Sequence, residues 1–211
     1  TSHGMPYQTL GNLRLLFPGH ENYSGYYREL DIENATVSTL YSSGGVQYST
    51  RVFSSHPDQV IIVHISADRP GSISFSATME RPSAVNLSTN GKDELFLSGL
   101  PGEFESLQGK VQFKAIVKII ATGGAITAND TALNVSEADD AVLYISIATN
   151  FKNYNDLSAD ANERAEAFLQ DALIKSYDQA LKEHIADYQT YFKRVSIDLG
   201  VTGSVRNPTD K

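Results

Sequence analysis

The stretch that divides this sequence into two kinds of structure is residues 141–173, AVLYISIATNFKNYNDLSADANERAEAFLQDAL. Its first part is rich in β-branched and aromatic residues, which favour a strand. Its last part repeats apolar residues at helical spacing, with Ala165, Phe168, Leu169 and Ala172 on one stripe. The change near residues 157–160 therefore predicts a β-rich body before this point and helix after it.

Most of the preceding chain predicts strands separated by turns. In chain order these segments are Leu13–Phe17, Ala35–Tyr41, Val46–Phe53, Val60–Ser66, Ser72–Met79, Glu94–Ser98, Gln112–Thr122, Ala125–Ala128, Ala132–Val135 and Ala141–Thr149. Residues 42–45, SSGG, predict a hairpin, and Gly123-Gly124 predicts that its two flanking strands pair directly. Because no βαβ rhythm is present, the predicted fold class is mainly β, an antiparallel sandwich of two stacked sheets.

The helical part is predicted to contain two helices with a break near residues 174–176, because a single helix to Phe192 would be unusually long. Ser158 is the predicted N-cap. Arg194–Gly200 alternates like a short strand. The predicted boundaries are residues 1–157 for the sandwich, 158–193 for a helical linker and 194–211 for the short strand and tail.

Composition narrows the range of partners. The chain has 211 residues, no cysteine and a formal net charge of −8 at pH 7. An acidic surface argues against a sequence-independent grip on nucleic acid. No apolar run approaches the roughly 20 residues that a membrane helix needs, so we predict no membrane span.

A search for catalytic chemistry finds no established motif. The sequence has no G-x-S-x-G, H-E-x-x-H or phosphate-binding loop. The five histidines are scattered without metal-ligand spacing. The acidic pairs 93–94, 103/105 and 139–140 lie in turn-like segments, and we interpret them as solvated. We therefore predict no catalytic residue, no metal site and no cofactor in this chain.

Four residues are candidates for contact with a ligand or another domain. Phe151, Tyr154 and Asn155 lie together in residues 150–156, NFKNYND, where aromatic rings stand beside amides as in sugar-stacking sites. His184 lies on the apolar helix stripe. A core or interface histidine with a hydrogen bond is the preferred interpretation, and contact with a further domain is the alternative.

Several segments resemble a known family. YQTLGNL at residues 7–13, YRELD at 27–31, VQYSTRVFSSHPDQV at 46–60 and HIADY at 184–188 resemble, in order and spacing, the N-terminal domain of glycoside hydrolase family 95. Arg194–Gly200 is similar to the segment that closes the helical linker of that family, and Asn207–Lys211 is similar to the start of its catalytic barrel.

The resemblance implies a specific anatomy: an N-terminal β-supersandwich, a helical linker, an (α/α)6 barrel and a C-terminal β domain. Family members are inverting exo-glycosidases, many of which act on α-1,2-linked L-fucose, with catalytic groups in the barrel. The present chain is then expected to hold only the first two parts, to lack the first strands of the sandwich and to be inactive alone. Its expected partner is the barrel of the same polypeptide, in a protein exported to the periplasm or exterior of a bacterium.

Two alternatives stay open at this stage. The chain could be a free-standing carbohydrate-binding or interaction module, or the same domain of an α-L-galactosidase. Under the interpretation that we prefer, in which the chain is part of a larger hydrolase, the apolar helix stripe would be buried against the barrel. The isolated chain would then expose that stripe.

Overall fold

The computed structural model describes Tyr7 and residues 9–82, 85–198 and 200–203. Within them, β-strands and two α-helices follow in this order: β1 Asn12–Leu16, β2 Tyr23–Asp31, β3 Thr36–Ser43, β4 Val46–Ser55, β5 Val60–Ala67, β6 Ile73–Glu80, β7 Asn86–Thr89, β8 Glu94–Gly99, β9 Phe113–Thr122, β10 Ala125–Ala128, β11 Ala132–Ala138, β12 Asp140–Thr149, α1 Ala161–Leu173 and α2 Tyr177–Phe192.

The strands form two sheets of unequal size. The small sheet has the order β1-β6-β11-β10, and the large sheet has the order β2-β3-β4-β5-β12-β9-β8-β7. Every pairing among these strands is antiparallel. The predicted fold class, a mainly β antiparallel sandwich followed by helices, is confirmed.

Two apolar cores make this a three-layer molecule. Between the sheets, alternate residues of β6 (Ile73, Phe75 and Ala77) are buried against the inner face of the large sheet. On the outer face of the large sheet, a second core joins residues such as Ile62 and Tyr144 to α1 and α2. The central strands are buried on both faces for this reason, which explains their nearly continuous apolar runs.

The helices lie on the sandwich and do not project from it. Ala165, Leu169, Ala172 and Ala180 are buried in the core beneath them. The expectation that the isolated chain exposes the helix stripe is therefore wrong. The outer face of the large sheet supplies the apolar cover that we had assigned to another domain.

The helix break is confirmed, but the first N-cap was predicted wrongly. Asp160, and not Ser158, caps α1, because its carboxylate accepts hydrogen bonds from the backbone N–H groups of Asn162 and Glu163. The hydroxyl oxygen of Ser158 is used elsewhere, since it accepts a hydrogen bond from Nζ of Lys152 at 2.9 Å.

The two glycine pairs have different outcomes. Gly44 and Gly45 have φ angles of 58° and 75° and join β3 to β4, as a tight hairpin requires. Gly123-Gly124 instead carries the chain from the large sheet to the small one, so β9 and β10 do not pair. At Gly124 a Cβ atom would lie 2.1 Å from the carbonyl oxygen of Ser136, and this close approach requires glycine.

Three further predictions differ from the structure or fall outside it. Strands β2 and β7 were not predicted. The described residues of 194–200 form no strand, which corrects the prediction of a short strand there. Asn207–Lys211 lies outside the described residues.

The small sheet leaves an apolar groove beside its edge strand β1. Leu13 and Leu15 of β1 line a cavity of about 330 Å³ together with inner-face residues of the large sheet, among them Val52 and Ile61. The outer edge of β1 has no partner strand among the described residues. An additional strand beside β1 would cover this groove.

Candidate inter-domain and ligand-contact surfaces

The loop that follows β12 carries three of the four predicted contact residues. Phe151, Tyr154 and Asn155 are all exposed, and Tyr154 is 88% exposed. The preceding residue, Asn150, is buried. Its side chain accepts a hydrogen bond from the N–H of Gln112 at 2.8 Å, which fixes the start of the loop to the sandwich.

Hydrogen bonds also hold the rest of this loop. The N–H of Asp156 donates to the carbonyl oxygen of Asn153 at 3.0 Å, closing a tight turn beneath Tyr154. Arg164 of α1 donates to the carbonyl oxygen of Phe151 at 2.9 Å. Hydrogen bonds from Ser158 hold the pKa of the Asp156 carboxyl below its usual value. The two aromatic side chains therefore extend from a fixed backbone, which lowers the entropy cost of stacking on a sugar or an apolar partner.

His184, the fourth predicted residue, lies in a different place. It is 4% exposed, and its Nε2 lies 3.1 Å from the carbonyl oxygen of Ala35, so Nε2 must carry the proton and donate. Its ring centroid is 4.8 Å from that of Phe53 on β4. The structure thus groups Phe151, Tyr154 and Asn155 in one loop and places His184 on the buried face of α2.

Side chains of α2 donate hydrogen bonds to the turn between β2 and β3. The hydroxyl of Tyr188 donates to the carbonyl oxygen of Ile32 at 2.9 Å. The side chain of Gln189 donates to the carbonyl oxygen of Glu33 at 3.3 Å and to the side-chain oxygen of Asn34 at 3.0 Å. Together with the His184 bond, these contacts hold the turn to α2.

A ladder of rings runs along α2 from the core to its exposed end. His184, Tyr188 and Phe192 are spaced four residues apart and share one helix face. Their consecutive ring centroids are 6.5 and 5.3 Å apart, and the rings are stacked. We had not predicted this ladder, although the i, i+4 spacing of the three residues was a visible signal.

Exposed apolar side chains lie along β2 and at the end of α2, and we call this region the edge surface. It consists of Tyr27, Leu30 and Ile32 from β2 and the turn after it, and of Tyr191, Phe192 and Val195 from the end of α2 and beyond. Sequence reasoning missed β2 because Gly25 interrupts its pattern and the pairing register shifts between Ser24 and Tyr27. The aromatic run Tyr23–Tyr27 was the available signal.

One pocket between α2 and the large sheet is lined by two carboxylates, Glu29 and Asp31, and by Arg51. A glycosidase acid needs a carboxyl group with a raised pKa. Asp31 accepts hydrogen bonds from the turn, mainly from Asn34, and these lower its pKa. Every carboxyl group with a resolved pKa shift in the described part of the chain has a lowered pKa. Asp31 is therefore unsuited to the role of a glycosidase acid.

A buried carboxylate is paired with a lysine where the two helices meet. The Asp58 side chain is 2% exposed, and its Oδ1 lies 2.7 Å from Nζ of Lys175, which also lies 2.5 Å from Glu183. The hydrogen bond to Asp58, and to a smaller extent the one to Glu183, raises the pKa of Lys175. Lys175 in turn lowers the pKa of Glu183. This group fastens the break between α1 and α2 to the turn after β4.

The described residues contain no group of three or more His, Cys, Asp or Glu side chains placed to hold a metal ion. No helix in the described part of the chain is long and apolar enough to cross a membrane.

Comparison with known proteins identifies a matching family and several relatives of this chain. Residues 1–154 match the family described as "Glycosyl hydrolase family 65, N-terminal domain". "Alpha-L-fucosidase 2" of Arabidopsis thaliana is 32% identical over 96% of this chain and 27% of its own length. "Probable alpha-fucosidase A" of Aspergillus niger is 26% identical over the same shares. The chain thus spans about a quarter of the length of these relatives.

A solved structure shares the fold. A human-microbiome protein assigned as a kojibiose phosphorylase superposes with a TM-score of 0.56 over 86% of this chain and 27% of its own chain. The two sequences are 10% identical, so this likeness concerns the fold alone.

Proposed function

The chain belongs to the family described as "Glycosyl hydrolase family 65, N-terminal domain", and we propose that it is the non-catalytic N-terminal domain of a larger hydrolase resembling the inverting 1,2-α-L-fucosidases. One observation carries the proposal: 96% of this chain aligns with α-L-fucosidase 2, yet the alignment spans 27% of that protein. In this role the sandwich and its two helices support an (α/α)6 barrel that cleaves the glycosidic bond.

The membership confirms the predicted N-terminal domain of a glycoside hydrolase, with α-fucosidases among its relatives. Assignment to family 95 is part of the proposal and rests on the resemblance of the segments at residues 7–13, 27–31, 46–60 and 184–188. Export to the periplasm or exterior of a bacterium rests on the same resemblance. The relatives named above come from a plant and a fungus.

The state of the carboxylates supports a non-catalytic role. An inverting glycosidase needs one carboxylic acid to protonate the leaving oxygen and a second carboxylate to activate water. Here Asp140 lies 2.6 Å from Nε2 of His64, and Asp93 lies 2.9 Å from Nζ of Lys118. Side chains already engaged in such pairs are poorly placed to exchange protons with a substrate.

The direct test compares the chain with the full-length polypeptide that carries it. We expect the full-length protein to release L-fucose from an α-1,2-fucosylated oligosaccharide, with the β anomer formed first in a proton NMR time course. The 211-residue chain should release none. Release by the 211-residue chain alone, or a native protein of about 23.0 kDa on an immunoblot of the source cells, would contradict the proposal.

The aromatic loop favours a second candidate, a carbohydrate-binding module. Tyr154 is 88% exposed on a backbone fixed by hydrogen bonds, which suits stacking on a sugar ring. If so, the 211-residue chain should bind fucosylated glycans on an array, and Tyr154→Ala should weaken binding at least tenfold. Tyr26→Ala, which removes another exposed tyrosine, is the matched control.

The same variants test whether this loop contributes to the larger hydrolase. Unchanged hydrolysis and unchanged domain docking in full-length Tyr154→Ala would exclude a functional role for Tyr154.

An α-L-galactosidase is the remaining alternative for the parent enzyme. Release of L-galactose faster than L-fucose from matched substrates would identify it.

A further inference from the structure

The edge surface joins two parts of the chain that are far apart in sequence. Tyr27, Leu30 and Ile32 are 56, 65 and 63% exposed. The hydrogen bond from Tyr188 to the carbonyl oxygen of Ile32 places the end of α2 directly against this turn. Lys193, the residue after α2, lies 3.6 Å from the carboxylate of Glu33. The exposed end of α2 is therefore in contact with the turn in which the exposed strand β2 ends.

The backbone of β2 adds an unpaired edge to this surface. β2 is the outermost strand of the large sheet, with β3 as its one partner in the described part of the chain. Eight of its nine residues are exposed. Proteins usually cover or charge such long edges, because the free N–H and C=O groups can pair with another chain. β2 carries charges of both signs, with Arg28 beside Glu29, so a block of like charge does not keep another chain away from this edge.

Two observations indicate what covers this surface. The matching family is that of an N-terminal domain, and the chain spans 27% of the length of its fucosidase relatives, so most of such a protein follows this part. The polypeptide also leaves α2 at Phe192, inside the edge surface. A domain tethered at that point would be held there at high effective concentration.

We propose that the edge surface is the docking face for the part of the polypeptide that follows residue 211, with the β2 edge and the rings of Tyr191 and Phe192 as the principal contacts. This inference rests on the proposed function, because it requires a larger protein. It differs from our expectation from sequence in one respect: the apolar helix stripe is covered by the sandwich, and the docking contacts come from the helix end and from β2.

Hydrogen–deuterium exchange tests the proposal directly. The outward-facing amides of residues 23–31 should exchange at least tenfold more slowly in the full-length protein than in the 211-residue chain. Residues 191–198 should be protected in the same comparison, and residues 100–108 should exchange equally in both. Equal exchange of the β2 amides in the two proteins would overturn the proposal. Protection in the 211-residue chain together with a dimer by light scattering would assign the surface to a second copy and would also overturn it.

A pair of variants separates docking from folding. In the full-length protein, Tyr27→Glu should split a single calorimetric unfolding transition into two and restore fast exchange of β2. Leu107→Glu, at a side chain of similar exposure outside the edge surface, should do neither. Tyr27→Glu in the 211-residue chain should leave its melting temperature within a few degrees of wild type. A single transition in full-length Tyr27→Glu would contradict docking.

The proposed function and the docking face can fail separately. If the full-length wild-type protein releases no L-fucose and its β2 amides are still protected, the proposed function is rejected and the docking face is kept.

Discussion

At position 184 an imidazole is buried among apolar side chains and still satisfies a hydrogen bond. Its Nε2 donates to Ala35, whose φ of 50° is unusual for a residue other than glycine. The imidazole ring also packs against the ring of Phe53, with 4.8 Å between the ring centroids. His184 therefore both fills the core beneath α2 and stabilises the strained end of the turn between β2 and β3.

Replacing this side chain should be costly. We expect His184→Ala to lower the free energy of unfolding by about 2–4 kcal/mol, because it creates a cavity and leaves the carbonyl of Ala35 without its donor. Tyr191→Ala, at an exposed site on the same helix, should change it by less than about 0.5 kcal/mol. Urea unfolding followed by circular dichroism measures both. Equal effects of the two substitutions would show that the contact contributes nothing specific.

The position of His184 on the buried stripe could be predicted from helical spacing, but its partner could not. Ala35 lies 149 residues earlier, and no local pattern links the two positions. The same limit applies to Tyr188 and Ile32. Phe151, Tyr154 and Asn155 were easier to group, because they are neighbours in one short polar loop and exposure follows from that composition.

At the scale of elements, the break between α1 and α2 is fixed by charge. Lys175 bridges the buried carboxylate of Asp58 and the exposed carboxylate of Glu183. Asp58 also accepts a hydrogen bond from the hydroxyl of Ser55 at 2.5 Å. Loss of the ammonium group would leave a buried carboxylate with a single side-chain donor, so Lys175→Met should destabilise the fold by about 1–3 kcal/mol.

Glu183 predicts how this contact depends on pH. Hydrogen bonds from Lys175, and then from Gln179, lower its pKa in the folded state below the ordinary value of 4.5. A lowered folded-state pKa contributes stability at pH values above the unfolded-state pKa and loses it as the pH falls through the folded-state pKa. The stability advantage of wild type over Glu183→Gln should thus be constant from pH 7 to about pH 5 and decline below about pH 4.5.

Urea midpoints measured for both proteins across this range provide the test. Glu80→Gln removes a second carboxylate with a lowered pKa, at the distant ion pair with Arg14, and the advantage of wild type over it should decline in the same pH range. An advantage over Glu183→Gln that persists unchanged to pH 3 would mean that the charge of Glu183 is not what stabilises the contact.

Elements with strong periodicity were predicted well and the edge elements were not. Both helices and the central strands have enough buried positions to impose a pattern on the sequence. β2 is exposed on both faces and β7 is four residues long, so neither carries an alternating apolar signal. Asp160 was missed as a cap because Ser158 and Asp160 are equally suitable residue types, and the choice depends on the loop, where the Ser158 hydroxyl accepts a hydrogen bond from Lys152.

At the scale of the whole molecule, the sequence predicted two stacked antiparallel sheets but not how the strands divide between them. Chain order suggested that β9 and β10 pair, whereas the close approach of Gly124 to Ser136 moves β10 to the small sheet. The division leaves four strands facing eight. The inner face of the large sheet is therefore incompletely covered beside β1, where the apolar groove lies.

This groove gives a prediction about the incompleteness that the family resemblance implied. A cavity of about 330 Å³ lined mainly by apolar side chains is large enough for a small ligand. The 211-residue chain should therefore bind anilinonaphthalene sulfonate with enhanced fluorescence. Leu15→Ser, inside the groove, should weaken that binding several-fold, whereas Leu16→Ser, on the opposite face of β1, should not. Unchanged circular dichroism spectra would establish that both variants stay folded.

If the first strands of the sandwich are contributed by residues that precede Thr1 in the full polypeptide, they should pair with the free edge of β1 and fill this groove. A polypeptide extended in that direction should then exclude the dye, and the outward-facing amides of Asn12–Leu16 should become protected from exchange. Dye binding by the extended protein that is still weakened by Leu15→Ser would show that the groove stays open. The groove would then be a ligand pocket of the domain itself, and the screen for its occupant would begin with small apolar molecules.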